Sequence, residues 1–431
     1  MTKSSPLSYF DSATKEQNSL RLAVLVFCSS IFVVLVFWTL LPADLGINEN
    51  LDFAAYYDPV ARNLASGNGL LDKDGQFGVF YPPGFPAILA VLYKLSSLLG
   101  ITESTMLSLF TLLCLGTIST AIFKISNAVH TATAALITAF AWMTYPFLLW
   151  LTKQPNSEIP FLAILYSGYG LVLISLFKKD HRWHRYFLAG ILIGCAMLVR
   201  PAAIGTWLVI IITIWIGMAG ATMRLRLVLS VFFLMGVLVL VVPWEITSYV
   251  KTGKVVLLGD NGAIAMRGGL VFAVADKPYR QPISVPDDVR HLMHDIMDHY
   301  ETLSSPTHVV TFMVEKFFAH PAAVAKLILI KIMRSWYGTD SQRYEKLIVL
   351  LQLPYLIVIA LGGYFGWRKS GFQRTLIFSV LLMTVYFWLM SVLVTSTLRY
   401  MVPAIGLMFT FIPFLWSSKR PVLPHTDPES A

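Results

Sequence analysis

The sequence predicts an all-α polytopic membrane protein. About ten transmembrane helices are expected, with interfacial helices in the first outer loop and a large outer loop before the last three spans. Composition is the first ground. Of 431 residues, 56% are hydrophobic and only 13% charged, against roughly 25% charged in soluble domains. Mean hydropathy is +0.67. The second ground is pattern, because apolar runs of about twenty residues recur along the chain, long enough to cross a hydrocarbon layer ~30 Å thick. Such runs must be helical, since lipid offers no partner to an exposed peptide group.

The spans expected in order are Leu20–Leu41, Ser104–Lys124, Thr131–Leu151, Ile159–Phe177, Tyr186–Val199, Ala202–Gly220, Leu227–Val242, Leu347–Gly366, Thr375–Val394 and Met401–Trp416. Leu20–Leu41 is too long for a signal-peptide core and no small-residue cleavage site follows it, so it reads as an uncleaved first span. Tyr81–Leu99 is apolar too, but opens on Pro82, Pro83 and Pro86 and carries Lys94. If it crossed, the basic loops 178–185, 224–226 and 368–374 would all lie outside. If it does not, they fall on the cytoplasmic side together with Lys419 and Arg420, as the bias of Lys and Arg toward cytoplasmic loops requires. Tyr81–Leu99 is therefore read as an interfacial or re-entrant helix on the outer surface, and Ala322–Trp336, with Lys326, Lys331 and Arg334, as a second interfacial helix.

The resulting organisation has a cytoplasmic segment 1–19 and a transmembrane catalytic module 20–242 with first outer loop 42–99. A large extracytoplasmic segment 243–346, C-terminal helices 347–417 and a cytoplasmic tail 418–431 follow.

The net charge of +9 does not indicate nucleic acid, because the basic residues sit in short clusters between apolar runs. Cys28, Cys114 and Cys195 all fall inside expected spans, which leaves neither a disulfide framework nor a cysteine metal site. No Walker loop, Gly-x-Ser-x-Gly elbow or dinucleotide fingerprint is present, so a cytosolic nucleotide has no visible site.

Chemistry is sought among the outer ionisable groups. Asp52 stands just past the first span, where a carboxylate can take a proton from a sugar hydroxyl or simply cap a helix. Glu158 begins a span, where it suits either a functional role or the helix dipole. Parity puts both on one side, so that they could share proton transfer, orient a sugar or hold a divalent cation. Arg200, Arg267 and Arg399 are also outer. Guanidinium is suited to bidentate phosphate binding, although each could snorkel to lipid headgroups. The cluster His291, His294, Asp295, Asp298 and His299 has i,i+4 pairs that favour a solvated amphipathic helix over a metal site, and the His-Glu-x-x-His pattern is absent.

The order of these residues resembles the GT-C glycosyltransferases. Asp52 past the first span, Tyr56, Ala61-Arg62-Asn63-Leu64-Ala65-Ser66-Gly67 and Tyr81-Pro82-Pro83-Gly84-Phe85-Pro86 come first. Ser157-Glu158, Gly190 to Arg200-Pro201, Pro243-Trp244 and Arg399-Tyr400-Met401-Val402-Pro403 follow. Among these transferases the chain resembles the bacterial protein O-mannosyltransferase and aminoarabinose transferase group (glycosyltransferase family 39-like), over residues 20 to 417. The resemblance implies transfer of a hexosyl or pentosyl group from a polyprenyl-phosphate donor to a lipid, glycan or protein hydroxyl. The implied setting is a multi-pass protein of the plasma (inner) membrane, active on its extracytoplasmic face.

Asp52 is carried over as general base and Glu158 as a supporting or cation-holding acid. Arg399, Arg200 and Arg267 are the expected donor-phosphate ligands, and Tyr56, Tyr81 and Tyr400 the expected substrate contacts. Two departures stand out. Glu245-Ile246-Thr247-Ser248-Tyr249 follows Pro243-Trp244 where the family has an arginine-asparagine pair, and no second acid directly follows Asp52, so a divalent cation is possible rather than required. The rival reading is a secondary transporter or lipid-linked-sugar flippase, which calls for Gly/Pro-broken spans in two related halves and charges at the midplane. The sequence shows neither.

Overall fold

A computed structural model describes residues 6–42, 52–153, 155–276 and 280–416. The expected cytoplasmic tail with Lys419 and Arg420, and the Asn48-Glu49-Asn50 stretch of the first outer loop, lie outside them.

The described residues fold into helices: α1 (Pro6–Leu40), α2 (Asp58–Ala65), α3 (Gly84–Leu99), α4 (Glu103–Asn127), α5 (Ala132–Met143), α6 (Pro146–Leu151), α7 (Glu158–Phe177), α8 (Trp183–Val199) and α9 (Thr206–Gly217). After them come α10 (Met223–Thr252), α11 (Gly262–Leu270), α12 (Asp287–Asp298), α13 (Pro306–Ala319), α14 (Pro321–Arg334), α15 (Glu345–Trp367), α16 (Phe372–Leu393) and α17 (Leu398–Met408). Among the described residues seven helical stretches are long and apolar enough to cross a membrane: Gln17–Leu40, Glu103–Asn127, Glu158–Phe177, Met223–Thr252, Glu345–Trp367, Phe372–Leu393 and Leu398–Leu415. The protein is an all-α, multi-pass membrane protein.

Three expected spans are broken or form helices shorter than the seven long ones. Thr131–Leu151 divides at Thr144-Tyr145, where Pro146 ends α5 and opens α6. Trp183–Val199 and Pro201–Gly217 remain shorter apolar helices, as does Gly84–Leu99. In the other direction, α10 runs through Pro243 to Thr252, ten residues past the expected boundary.

α7 is the axis of the bundle, since it is apolar on every face and buried along nearly its whole length, the pattern of a helix enclosed by others. α4 and α8 pack on it, α1 lies on α4, and α10 lies along α8. The α8–α10 contact is backbone to backbone. A Cβ at Gly190 would strike the Phe233 carbonyl, and one at Gly236 the Phe187 carbonyl. Small residues permit such approach where lipid gives no hydrophobic drive between helices.

Helices α11 to α14 build a second core from Leu270, Val289, Met293, Val309 and Leu327. α12 buries Val289, Leu292, Met293 and Ile296 and turns its acids outward, where Lys316 meets Asp295 at 2.6 Å. α14 departs from the expected interfacial helix. Lys326 faces out to Asp288, but Lys331 and Arg334 are buried. Lys331 Nζ donates to the carbonyls of Gly269 and Val394 at 3.0 and 3.2 Å, and Arg334 pairs with Glu345 at 2.5 Å. These cations fasten the outer segment to the bundle. Helical periodicity alone counts every cation as outward, which is why the sequence reading placed them there.

Candidate active site

The buried charges gather where several helices end on one side. Asn156 Oδ1 accepts from the Ile159 amide and so caps α7, a cap that leaves the Glu158 side chain for other work. α8 stops at Arg200, which Pro201 forces into extended backbone (φ −142°, ψ 124°). Its guanidinium turns onto the head of α7, with Nη1 2.6 Å from Glu158 Oε1 and 3.0 Å from Ser157 Oγ.

Arg399, at the start of α17, approaches from the other side. Its Nε is 3.9 Å from Glu158 Oε1 and its Nη1 3.3 Å from Asp340 Oδ2. That Nε is buried and has no hydrogen-bond partner among the described residues. The Tyr400 ring lies beneath both guanidiniums, 5.3 Å from that of Arg200 and 5.2 Å from that of Arg399, a favourable cation–π arrangement.

The first outer loop supplies the facing wall. Asp52 is helical in backbone (φ −65°, ψ −37°) and makes no side-chain cap bond, so the capping role that competed for it is not taken up. It leads into a π-helical turn, Phe53–Tyr57, a form frequent at functional sites. Asp52 stands beside the Tyr81 phenol, which its charge acts on, and lies within electrostatic reach of Tyr57 and Arg399. Tyr57 stacks on Tyr81 at 4.8 Å and lies within electrostatic reach of Arg200 and beside Ser157, which joins this wall to Arg200. Burial pushes the Tyr56 phenol up to about 12. Burial raises Tyr57 further against the pull of Arg200, and raises Tyr81 with the help of the Asp52 charge. These phenols therefore serve as donors and not as bases.

A second layer holds the wall. Trp244 Nε1 donates to the Leu258 carbonyl at 3.0 Å, and Glu245 Oε1 accepts from the Leu258 amide at 2.7 Å. Leu257 and Leu258 are thereby kept at positive φ, a strained state that needs such support. The Asp260 amide then reaches the Val79 carbonyl at 2.9 Å, beside Tyr81. Glu245 works here as a loop clamp.

The structure thus brings Asp52, Glu158, Arg200, Arg399, Tyr81 and Tyr400 into one cluster. Tyr56 stands behind it, donating to the Tyr81 carbonyl at 3.4 Å. Arg267 has other contacts, bonding to the Tyr300 carbonyl and covering its ring at 4.0 Å. Ser157, Tyr57 and Asp340 belong to the cluster and were not singled out from the sequence. Ser157 adjoins Glu158 in the motif already quoted, whereas no local pattern marks Asp340. Among the described residues no three of His, Cys, Asp and Glu converge as metal ligands would. Glu158 and Asp340 are engaged by the guanidiniums of Arg200 and Arg399.

No protein-family model matches the chain, and no curated protein does. Solved structures do. The archaeal oligosaccharyltransferase AglB from Archaeoglobus fulgidus, in complex with an inhibitory peptide and a dolichol-phosphate, superposes with TM-score 0.56 at 12% identity, covering 93% of this chain and 50% of that one. Its apo form gives 0.54 at 11% (91% and 50% covered), and its complex with Zn and sulfate 0.54 at 12% (90% and 48% covered). The chain spans about half the length of the structures it matches. What is common is the architecture: this is a multi-pass membrane protein that shares its fold with these structures.

Proposed function

We propose that the protein is a glycosyltransferase that moves a sugar from a polyprenyl-phosphate donor to a hydroxyl acceptor on the extracytoplasmic face of the plasma membrane. The observation that carries this reading is Arg399 Nε, a buried donor without a partner among the described residues, in a cluster with Arg200. An unmet guanidinium N–H beside a second guanidinium suits a phosphate. A transporter would place its charges at the bilayer midplane, whereas Glu158, Arg200 and Arg399 all stand at helix ends on one side.

Asp52 accepts the proton of the acceptor hydroxyl, with the Tyr81 phenol beside it. The acceptor oxygen bonds to the anomeric carbon as the bond from that carbon to the phosphate oxygen breaks. The electron pair leaves with the polyprenyl phosphate, which gains a negative charge as it changes from diester to monoester. Arg399 and Arg200 stand where that charge develops, and fixed donors there lower the barrier more than they aid ground-state binding.

The test uses proteoliposomes carrying a panel of radiolabelled polyprenyl-phosphate hexoses and pentoses. Free polyprenyl phosphate and labelled acceptor are expected, with Asp52→Asn slower by about 10² or more, the usual scale for a general base. A wild-type protein that moves donor across the bilayer with the sugar–phosphate bond intact would overturn the reading.

A further inference from the structure

The π-helical turn separates two spaces. In that turn the Asp58 amide bonds to the Phe53 carbonyl, five residues back, so side chains five apart share a face. Asp52 and Tyr57 form one such pair and meet the arginine cluster. Phe53 and Asp58 form the next pair, joined one α-turn later by Arg62, and they line a separate groove of about 560 Å³ between the outer ends of α1 and α4.

The rim of this groove is polar but internally neutralised. Arg62 Nε is 2.8 Å from Asp58 Oδ2, while Nη1 and Nη2 reach the two oxygens of Glu103 at 3.2 and 2.8 Å. The Tyr93 hydroxyl donates to Asp58 Oδ1 at 2.6 Å. All three guanidinium nitrogens are thus spent on protein carboxylates. With Lys153 also on the rim, two acids face two bases. A phosphate has no open fork to meet here, whereas carboxylate oxygens with remaining lone pairs accept from hydroxyls. Below the rim one face of α4, with Ser104, Leu107, Ser108 and Thr111, lines the groove opposite Trp38. From Glu103 to Thr111 it descends about 12 Å at 1.5 Å per residue, which carries it from the charged rim into the apolar layer.

We infer that this groove is the acceptor site, and that it takes an amphiphile with a neutral, hydroxylated headgroup. The inference rests on the transferase reading above. In-line displacement needs the nucleophile opposite the leaving oxygen. With phosphate on Arg399 and Arg200, the groove lies across the π-turn from them and delivers a hydroxyl to Asp52 at the shared wall. A peptide would need main-chain partners, while a descending slot of hydroxyls and apolar side chains suits a sugar-headed lipid.

The experiment uses the full chain in nanodiscs with two photoactivatable probes, a diazirine alkyl glucoside and a diazirine polyprenyl phosphate. The glucoside is expected to label peptides containing Trp38 and residues 103–111, with labelling that persists in excess polyprenyl phosphate. Ser108→Trp, which fills the slot, should cut that labelling by about tenfold or more, while Ser108→Ala retains it. Continued labelling of Ser108→Trp by the polyprenyl phosphate probe, at other peptides, shows that the variant is folded. The inference is overturned if polyprenyl phosphate labels the groove and displaces the glucoside, if a Ser/Thr peptide displaces it, or if the glucoside does not label these peptides. Failure of the transferase reading is separate, since it shows as an uncleaved sugar–phosphate bond in the wild-type protein whatever the groove binds.

Discussion

Arg399 is shared between two acids from distant parts of the chain, with Nη1 3.3 Å from Asp340 Oδ2 and Nε 3.9 Å from Glu158 Oε1. The two differ in commitment. Glu158 is buried against Arg200, whereas Asp340 is partly exposed on a loop held by its backbone, where Arg280 Nε donates to the Asp340 carbonyl at 3.2 Å. Asp340 therefore occupies, without being buried there, a position that a donor phosphate would contest.

Asp340→Asn is expected to bind donor more tightly. A unit charge about 4 Å away in a wet site is worth ~1 kcal/mol or somewhat more, so the donor KM should fall by about 3- to 10-fold with kcat changed less. Steady-state kinetics at saturating acceptor measure it. A rise in KM would instead assign Asp340 to the orientation of Arg399.

Arg399→Lys keeps the charge and loses the fork. Partial turnover is expected of it, and far greater loss of Arg399→Ala, both with saturating donor. An arginine that merely snorkels to headgroups gives another pattern, with lysine equal to arginine and alanine only mildly impaired.

The Arg200–Glu158 pair is a stability element as well. Both side chains are about a tenth exposed, and removing one partner from such a pair costs ~3–5 kcal/mol because the other charge is left uncompensated. Glu158→Gln should therefore lower the unfolding temperature in detergent, and Arg200→Gln added to it should restore part of the loss. Additive losses would mean that the two side chains do not act as a pair.

Lys331 supplies a pH dependence. Burial, with Arg334 nearby, lowers its ammonium pKa from 10.5 to about 7, and its two partners are neutral carbonyls. The neighbouring Arg334 is itself paired with Glu345. Because the folded value lies below the unfolded one, the unfolded chain holds more protons between about pH 7 and 10.5. Stability of the docked outer segment should thus rise across that window and level off outside it. Hydrogen exchange in α11 and α14 between pH 7 and 10 measures the rise, and Lys331→Met should flatten it.

Much of the fold can be read from the sequence because lipid leaves an apolar run one option. A helix, in one case broken in two, stands at each of the ten expected spans, and Glu158, Arg200 and Arg399, read as lying on one side, do meet. Register and long-range contact are what local pattern cannot supply. Tyr57 joins the cluster because the turn after Asp52 is π-helical, a rotation that the residues Phe53-Ala54-Ala55-Tyr56-Tyr57 do not announce. Asp340 arrives there because the Leu398 amide bonds to the Gly338 carbonyl at 2.8 Å, pairing two loops some sixty residues apart. Lys331 and Arg334 looked like surface charges because nothing local records that carbonyls and Glu345 wait beneath them.

The glycine contact between α8 and α10 bears on this chemistry from a distance. Gly190 and Gly236 meet with no side chain between two backbones, so the joint has little compliance in roll or in slide. Arg200 lies ten residues along the same rod, about 15 Å from the contact at 1.5 Å per residue. A methyl group wedged into the joint would pass its displacement to the guanidinium almost undamped, and misplacement of 1 Å can cost about 10²-fold in rate. The aim of the charge is set by two residues that carry none.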